Sequence, residues 1–317
     1  MARLIRNTVI LAKIETTSGI DAVPTGAANA LLVSNASFEV NYSNVNRDLI
    51  RGFLGGSEQL SGTRFVKAMF EVEISGSGAA GTAPAWGPLL LGCAMAEVTN
   101  VAYVEYSPVS TGLKSLTINY HLDGLARKML GCMGTVELAM GEGERPLLKF
   151  AFTGIDGGAL AMANPVQVLT NWKTPLVIMD QNSGDIKLGG TYAAGAITAG
   201  TVYTSRGLNL QLGNDVKPIA LLGGQSVDIT NRETTGSVQM ELTAAQEATL
   251  MTDINANTLT SLSFEHGTAA GGKILIYAPA VQRINPKHVD YEGRAHMGMD
   301  LRLLPINGND ELRIVTS

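Results

Sequence analysis

Two glycine-rich stretches come nearest to a chemical site by residue type and spacing. Gly76, Gly78 and Gly81 follow the G-x-G-x-x-G spacing that lets a backbone approach a dinucleotide pyrophosphate. The strand predicted before them alternates polar and apolar residues, whereas the parallel strand of a nucleotide-binding fold is apolar throughout. Pro84 also stands where helix amides would have to face the phosphates. We therefore interpret the stretch as a flexible glycine loop, with nucleotide binding as the alternative.

The second stretch resembles a phosphate-binding loop. Gly267, Gly272 and Lys273 fit most of that pattern, but Ile274 occupies the position of the Ser or Thr that would hold magnesium. The residues that follow predict a strand and not a helix, so the helix N-terminus on which such a loop depends is missing. The pattern does not predict a phosphate site.

The histidines and acidic residues do not suggest a catalytic or metal centre. The four histidines are His121, His266, His288 and His296. None of them forms an H-x-x-x-H or H-E-x-x-H pair, and we interpret them as surface or sheet-face residues. The acidic residues are scattered along predicted strands and give no defensible acid and base pair. We expect no enzyme activity and no cofactor or metal.

Cysteine usage and the first residues bear on the compartment. Cys93 and Cys132 stand alone, which favours buried, reduced thiols. The early apolar run is interrupted by Lys13 and Glu15, so we predict a strand, Thr8–Ile14, and not a signal peptide. No apolar run reaches the roughly 20 residues of a membrane span, so membrane insertion is not expected. These patterns predict a protein made and kept in the cytoplasm or in a particle assembled there.

Length and composition favour a β protein of more than one unit. The 317 residues suffice for two domains of ordinary size. Charged residues make up only 16%, aromatic residues 5%, and glycine numbers 36, which suits many short strands and turns better than long charged helices. The net charge of -5, without a Lys/Arg cluster, disfavours tight binding to a phosphate backbone.

One segment occurs twice in the chain, and the other predicted elements can be aligned on its two copies. Most of Arg47 to Ser75 returns 168 positions later in the segment Leu221 to Leu242, with a Gly-Gly pair in each copy. Phe70 falls on Val238, and the neighbouring positions also agree in polarity. Both copies alternate with period two, which predicts strands with one buried and one wet face. Two such segments at a fixed offset predict a duplicated domain.

The remaining elements support two series of strand, long arm, strand, helix and hairpin. In the first we predict a helix in the stretch around Leu89 to Ala94 and a hairpin that turns at Gly141 to Arg145. In the second, Thr174 to Asp180 matches the first strand of the chain, and Thr243 with Gln246 three residues on predicts the capping box of a short helix. A small-residue connector, Ile155 to Trp172, separates the two series.

Several segments together resemble the major tail tube proteins of long, non-contractile-tailed bacteriophages. They are NRDLIRGFLGGSEQL, APAWGPLLLGCAMAE, SLTINYHLDG with GERPLLKFAFTG, and HGTAAGGKILIYAPAVQ with MDLRLLPINGNDELRIV. The resemblance covers nearly the whole chain. It implies a mainly β fold of two tandem β-sandwich or partial-barrel tail-tube domains, 1–165 and 166–317, each with a flanking short α-helix.

The same resemblance implies a structural virion protein. Members form rings that stack into a hollow tube for DNA, in contact with the tape measure protein, the tail terminator and the distal tail proteins. With six tube domains to a ring, a doubled chain predicts trimeric rings of pseudo-sixfold symmetry, with hexameric rings as the alternative. The genomic DNA would pass through the lumen without specific binding. The expected location is the phage tail, after assembly in the host cytoplasm.

The two long arms are the predicted contacts between rings or subunits. Exposed strand edges can pair with those of neighbouring copies until a large barrel has closed. The arm residues that we expect to make contacts are Arg47, Asp48, Arg51, Phe53, Leu54, Gly55, Gly56 and Glu58, and in the second copy Leu222, Gly223, Gly224, Asp228 and Arg232. The alternative is that the arms are ordinary solvated loops.

Two other functions stay open from the sequence. A capsid-decoration or adhesin-like β-sandwich protein would form a discrete oligomer and would not polymerise. A small-molecule enzyme would use the loop at Gly76. Self-association at high concentration separates the first from a tube, and stabilisation by dinucleotides tests the second.

Overall fold

The computed structural model describes residues 2–317, and the chain is mainly β, with 54% of residues in strands and 7% in three helices. The strands up to the connector are β1 (Thr8–Ile14), β2 (Ala30–Leu31), β3 (Ser34–Asn46), β4 (Gln59–Glu73), β5 (Met95–Thr99), β6 (Val104–Pro108), β7 (Leu116–Leu122), β8 (Leu125–Gly141) and β9 (Leu147–Ala161). The later strands are β10 (Ile186–Leu188), β11 (Thr191–Ala193), β12 (Ala196–Thr198), β13 (Thr201–Tyr203), β14 (Ser205–Gln211), β15 (Asn214–Leu221), β16 (Gly224–Arg232), β17 (Thr235–Glu241), β18 (Thr260–His266), β19 (Ile274–Tyr291), β20 (Arg294–Leu304) and β21 (Arg313–Thr316). The helices are α1 (Gly26–Asn29), α2 (Gly87–Leu91) and α3 (Ala244–Asn255).

The strands of the first half form a continuous antiparallel order. β1 pairs with β7, β7 with β8, β8 with β9, β9 with β4, and β4 with β3. β8 is long enough to pair with β7 along its first part while β9 lies along its other side. The long strand therefore belongs to two sheet surfaces at once, as in a sandwich.

The second half repeats this order strand for strand. β10 pairs with β18, β18 with β19, β19 with β20, β20 with β17, and β17 with β14. β14 and β3 even share a bulge near the start of the strand, between Ser205 and Leu208 in one and between Ser34 and Ser37 in the other. A bulge is a local feature of pairing that recurs when the same strand arrangement recurs.

The two halves are joined edge to edge. β14 pairs with the last part of β8, and β21, from the end of the chain, pairs with β6 of the first half. A single cluster of buried apolar side chains runs through both halves, with Phe70 and Phe150 at one end and Met297 and Leu301 at the other. The boundary at residue 165 stays a prediction. The predicted connector Ile155 to Trp172 is wrong in its first part, because β9 continues through it to Ala161. Its last part packs on the first half, where the indole of Trp172 donates to the carbonyl of Ala30 at 3.0 Å.

The two predicted flanking helices form, with different lengths. α3 starts with the predicted capping box, in which Thr243 and Gln246 each accept a hydrogen bond from the other's backbone N–H. α2 is shorter than the apolar pattern indicated and ends at Leu91. Gly92 follows, and Ala94 adopts a positive φ of 58°, so the chain leaves the helical conformation before β5 begins.

The interpretation of Thr174 to Asp180 as the first strand of the second half is wrong. The segment contains no strand, and β10 takes the equivalent place beside β18. Ile178 instead bonds to the turn between β8 and β9, accepting from the N–H of Gly143 at 2.8 Å and donating to the carbonyl of Glu144 at 3.0 Å. Alternating apolar residues therefore mark an extended segment here, but its backbone partners lie in a turn.

Candidate assembly interface

Eight strands run side by side across both halves and end in two edges. In order they are β3, β4, β9, β8, β14, β17, β20 and β19, each antiparallel to its neighbour. Four come from each half. We call this arrangement the eight-stranded sheet.

One face of the eight-stranded sheet forms the core and the other is polar. On β4, Val66, Ala68, Phe70 and Val72 are almost fully buried, as the two-residue period requires. The alternate positions of the eight strands carry charges of both signs. They are Glu39, Glu71, Glu73, Glu137, Glu241 and Asp300 on the acidic side, and Lys67, Lys149, Lys287, Arg294 and Arg302 on the basic side.

Three of the basic side chains on this polar face are already paired. Lys149 binds Glu137 at 2.8 Å, Arg294 binds Glu241 at 3.2 Å, and Arg302 forms an ion pair with Glu233. Such pairs reduce the positive potential available to a phosphate backbone. The polar face therefore offers few unpaired cations to hold nucleic acid.

The pairing of β14 with β8 shows how the two halves join. Gln211 lies opposite Glu137, Leu210 opposite Leu138, and Leu208 opposite Met140. One further bond extends the ladder, from the N–H of Leu212 to the carbonyl of Val136 at 2.9 Å. Polar and apolar faces of the two halves are therefore continuous across the junction.

Burial on β14 is much greater than on β3, although the two strands occupy equivalent places. Leu208 and Leu210 on β14, and Leu212 directly after it, are at most 2% exposed, since β8 covers them. On β3, Phe38 and Val40 are only half-buried. The difference leaves apolar surface on β3 that a neighbouring strand would cover.

The outer edge of β3 is free within the described chain. β3 pairs with β4 on one side, and no other strand among residues 2–317 pairs with it. Its thirteen residues make it a long edge. Long unpaired edges are templates for pairing with another chain.

The second free edge is the last part of β19. Its first part, up to Val281, pairs with β18, and its last part pairs with β20 on one side only. In the first half the corresponding part of β8 is the one that β14 occupies. The chain therefore fills one of two equivalent edges and leaves the other open.

The predicted residues of the first arm lie in the loop between β3 and β4. Arg47 and Arg51 both contact the carboxylate of Glu58, the second at 3.5 Å, which ties the base of the loop together. At its tip Phe53 is 70% exposed and Leu54 fully so. Asp48, Gly55 and Gly56 in the same loop are also exposed.

The predicted residues of the second arm divide between a tip and a base. β15 and β16 form a hairpin with Leu222 and Gly223 at its turn, where Leu222 is fully exposed and Gly223 has a φ of 95°. Gly224 begins the return strand, and Asp228 accepts a hydrogen bond from Ser226 at 3.0 Å.

Arg232 lies at the base and fixes it to two other parts of the fold. Its Nε lies 2.5 Å from the carboxylate of Glu311, and its Nη1 donates to the carbonyl of Val109 at 3.0 Å. The base of this arm is therefore held within the chain, while the tip projects. Whether the arms contact another ring stays a prediction.

Asn214 was not singled out from the sequence, yet it anchors the second arm on the first half. Its side-chain amide donates to the carbonyls of Cys93 at 2.7 Å and Gly134 at 2.9 Å, and its backbone N–H donates to Thr135. Asn214 is 8% exposed. The available signal was a polar residue shortly after the end of β14, but its hydrogen-bond partners are distant in sequence.

The two glycine-rich stretches pack against each other. The N–H of Gly78 donates to the carbonyl of Gly271 at 2.8 Å, and a Cβ on Gly76 would lie 2.0 Å from that same oxygen. The amides of Gly271 and Lys273 donate to the carbonyl of Ser317. These glycines permit close backbone packing between the halves, and their amides are engaged with protein oxygens and do not cradle a phosphate.

Ser183 and His266 form a hydrogen-bonded pair that resembles part of a hydrolytic site. The hydroxyl of Ser183 lies 2.9 Å from Nδ1 of His266, and Nε2 lies 3.1 Å from the carbonyl of Leu176. A catalytic triad would have a carboxylate orienting the imidazole, where a backbone carbonyl stands here. Burial lowers the pKa of His266. The pair holds the segment from Leu176 to Ser183 against β18.

The other sequence candidates lie apart. Among residues 2–317, His, Cys, Asp and Glu side chains do not gather in threes at metal-binding distance. Cys93 and Cys132 are free and fully buried, and burial raises the pKa of both thiols. No helix in the described part of the chain has both the length and the apolar character for crossing a bilayer.

Comparison with known proteins gives one result that covers almost the whole chain. A family model described as phage tail tube protein matches residues 5–307. A search of curated proteins found no match. The matched range includes every strand of the eight-stranded sheet, both arms and both free edges. The chain therefore belongs to the phage tail tube protein family and is a structural protein of the phage tail.

Proposed function

We propose that this chain is the repeating subunit of the tail tube of a siphophage, that three copies close a ring, and that stacked rings form the conduit for DNA ejection. The observation that carries the proposal is the eight-stranded sheet, which repeats one strand order twice and leaves one free edge at each end. An element with two complementary free ends adds copies of itself until the rotation closes.

Three copies fit the duplicated architecture. Four strands come from each half, so three chains contribute 24 strands to one barrel. Strands about 4.8 Å apart and tilted as in other barrels would give a barrel roughly 40 to 50 Å across at the backbone. The polar face would line the lumen and the apolar face would pack on the core. Six tube domains then make a pseudo-sixfold ring from three chains, divided near residue 165.

The charges of the polar face suit passage without binding. Tight binding to DNA needs unpaired Lys and Arg side chains that release counterions from the phosphates. On this face Lys149, Arg294 and Arg302 are paired with carboxylates. DNA in such a lumen would be held weakly and could slide.

The arm tips are the proposed contacts between successive rings. Phe53 and Leu54 in the first arm and Leu222 in the second expose apolar side chains beyond the sheet. Apolar side chains that cluster at an exposed position often mark an interaction site, whereas single scattered ones are common on any protein surface. The tape measure protein would occupy the lumen before DNA, and the tail terminator and distal tail proteins would cap the ends, with assembly in the host cytoplasm.

Negative-stain imaging of the concentrated protein tests the proposal. We expect hollow tubes of uniform diameter built from stacked rings. Discrete particles without a lumen, at every concentration and salt condition at which the protein stays folded, would instead support the decoration or adhesin function. A thermal shift measured with dinucleotides tests the enzyme alternative, for which the packed glycine loops predict no stabilisation.

A further inference from the structure

The edge of β3 and the last part of β19 are equivalent to the two strands that already meet inside the chain. We propose that β3 of one copy pairs antiparallel with β19 of the next copy, in the register that places Glu39 directly opposite Lys287. The proposal rests on the ring assembly proposed above and names the two strands and the register that would close it.

The position of Glu39 follows from the repeat. Glu39 lies opposite Lys67 on β4, and Gln211 lies opposite Thr235 on β17. Lys67 and Thr235 are 168 positions apart, the offset of the repeated segment. Glu39 is therefore the first-half counterpart of Gln211.

The position of Lys287 follows in the same way through two strands. Lys287 lies opposite Gly298, which lies opposite Gln239. In the first half Glu137 lies opposite Lys149, which lies opposite Glu71, and Glu71 and Gln239 are again 168 positions apart. Lys287 is therefore the second-half counterpart of Glu137.

Inside the chain these counterparts are direct neighbours, because Gln211 lies opposite Glu137. Transferring this junction to two copies places Glu39 opposite Lys287. The pair has opposite charges, both side chains are exposed, and neither forms an ion pair with another described residue of its own chain. Opposite charges directly across two strands favour the pairing, and like charges disfavour it.

Two further features of the junction bear on the transfer. The last bond inside the chain uses the carbonyl of Val136. On β19 the corresponding position falls in a bulge, where Asn285 and Pro286 stand between the paired residues Ile284 and Lys287, so we expect the ladder to β3 to end at Lys287. The half-buried Phe38 and Val40 would also gain cover on the core face, as Leu210 and Leu212 have inside the chain.

Charge reversal tests the register. We expect Glu39→Lys and Lys287→Glu each to raise the concentration needed for half-maximal ring assembly by about tenfold, measured by sedimentation, because each places like charges opposite one another. The double variant restores an opposite pair in reversed order, and assembly should return to within about threefold of the unaltered protein. Thermal unfolding of each unassembled variant controls for folding, since both sites are exposed.

Thiol cross-linking locates the contact. Chains carrying both Glu39→Cys and Lys287→Cys should give covalent trimers on oxidation, because side chains directly opposite across two strands lie close enough for a disulfide. The matched control combines Glu39→Cys with Asp290→Cys, which lies three positions along β19 and on its other face, and should give little product. The two native thiols are buried and contribute little background.

The outcomes separate this proposal from the proposed function. Rescue by the double variant with cross-linking specific to position 287 supports the register. Tubes that form without either result, or with cross-linking at position 290 instead, overturn the register and leave the tail-tube function in place. Failure of the unaltered protein to form any ring overturns both.

Discussion

At the scale of single residues, Asn214 shows how one side chain can join two halves. It is buried where the second arm starts, and its amide donates to the backbone carbonyls of Cys93 and Gly134. Removing the amide would leave two buried carbonyls without these donors. Buried acceptors that lose their partners destabilise a fold more than an exposed hydrogen bond contributes.

Asn214→Ala should therefore lower the free energy of unfolding by about 2 kcal/mol. In a chain of this size that corresponds to a fall in Tm of roughly 3 °C, measured by differential scanning fluorimetry. Asn231→Ala, at an exposed position of the same arm, is the matched control and should change Tm little. Equal Tm values for the two variants would show that Asn214 does not anchor the arm.

His121 and His266 predict how stability depends on pH. Burial lowers the pKa of both imidazoles below the usual value of 6.5. As the pH falls, these two histidines therefore bind protons in the unfolded chain before they do so in the folded chain. Stability is full above about pH 7 and is lost as the pH falls through 6.5 toward the lower pKa values of the folded state.

We expect chemical denaturation midpoints to decrease between pH 7 and pH 5, and the decrease to become smaller in His266→Gln. Glutamine can still exchange hydrogen bonds with Ser183 and Leu176 but cannot take up a proton. His288→Gln, at an exposed histidine, controls for the substitution itself. A pH profile that does not change in His266→Gln would contradict the assignment.

The residue scale also shows where sequence patterns mislead. The glycine spacing at Gly76 and at Gly267 suggested phosphate loops, and their failure in context was predictable from the strand that precedes one and follows the other. Their actual role, close packing against each other, was not predictable, because it depends on two loops far apart in sequence meeting at one place. The proposed pairing of Glu39 with Lys287 likewise depends on two strands that are far apart in sequence.

At the scale of elements, local signals predicted more than long-range ones. The strand Thr8–Ile14, the turn at Gly141 to Arg145 and the capping box of α3 are each specified by a few adjacent residues, and each is confirmed. The helix after Trp86 was predicted too long, because Gly92 and Ala94 end it inside an apolar pattern. Thr174 to Asp180 was misassigned because its backbone partners come from a turn of the other half.

The arms give a prediction at this scale. Phe53→Ser combined with Leu54→Ser should leave rings intact and shorten or abolish tubes, because the substitutions remove exposed apolar tips and touch no strand of the sheet. Tube length in negative-stain images is the measurement. Val101→Ser, at a 93% exposed apolar residue outside both arms, is the matched control.

Tubes of unchanged length in the arm variant would mean that the tips are ordinary solvated loops. Loss of the rings themselves would instead place the first arm within the ring. The second arm already gives a precedent for contacts of the latter kind, since its base packs on β8 and β9 of the same chain.

At the scale of the whole molecule, the repeat explains why the chain has an unfinished sheet. Each half contributes two strand edges that can pair with another sheet. Inside the chain β14 pairs with β8, and the edges of β3 and of the last part of β19 stay unpaired among the described residues. A closed ring is the arrangement that satisfies the remaining edges without exposing new ones. The repeat was visible in the sequence as the 168-residue offset, but the junction between the halves was not.

The number of chains in a ring tests the central claim most directly. Native mass measurement of the smallest closed ring, with a top view by electron microscopy, gives that number. Three chains of 33.3 kDa predict a ring of about 100 kDa with six similar lobes. A ring of six full chains, about 200 kDa with twelve lobes, would contradict the account.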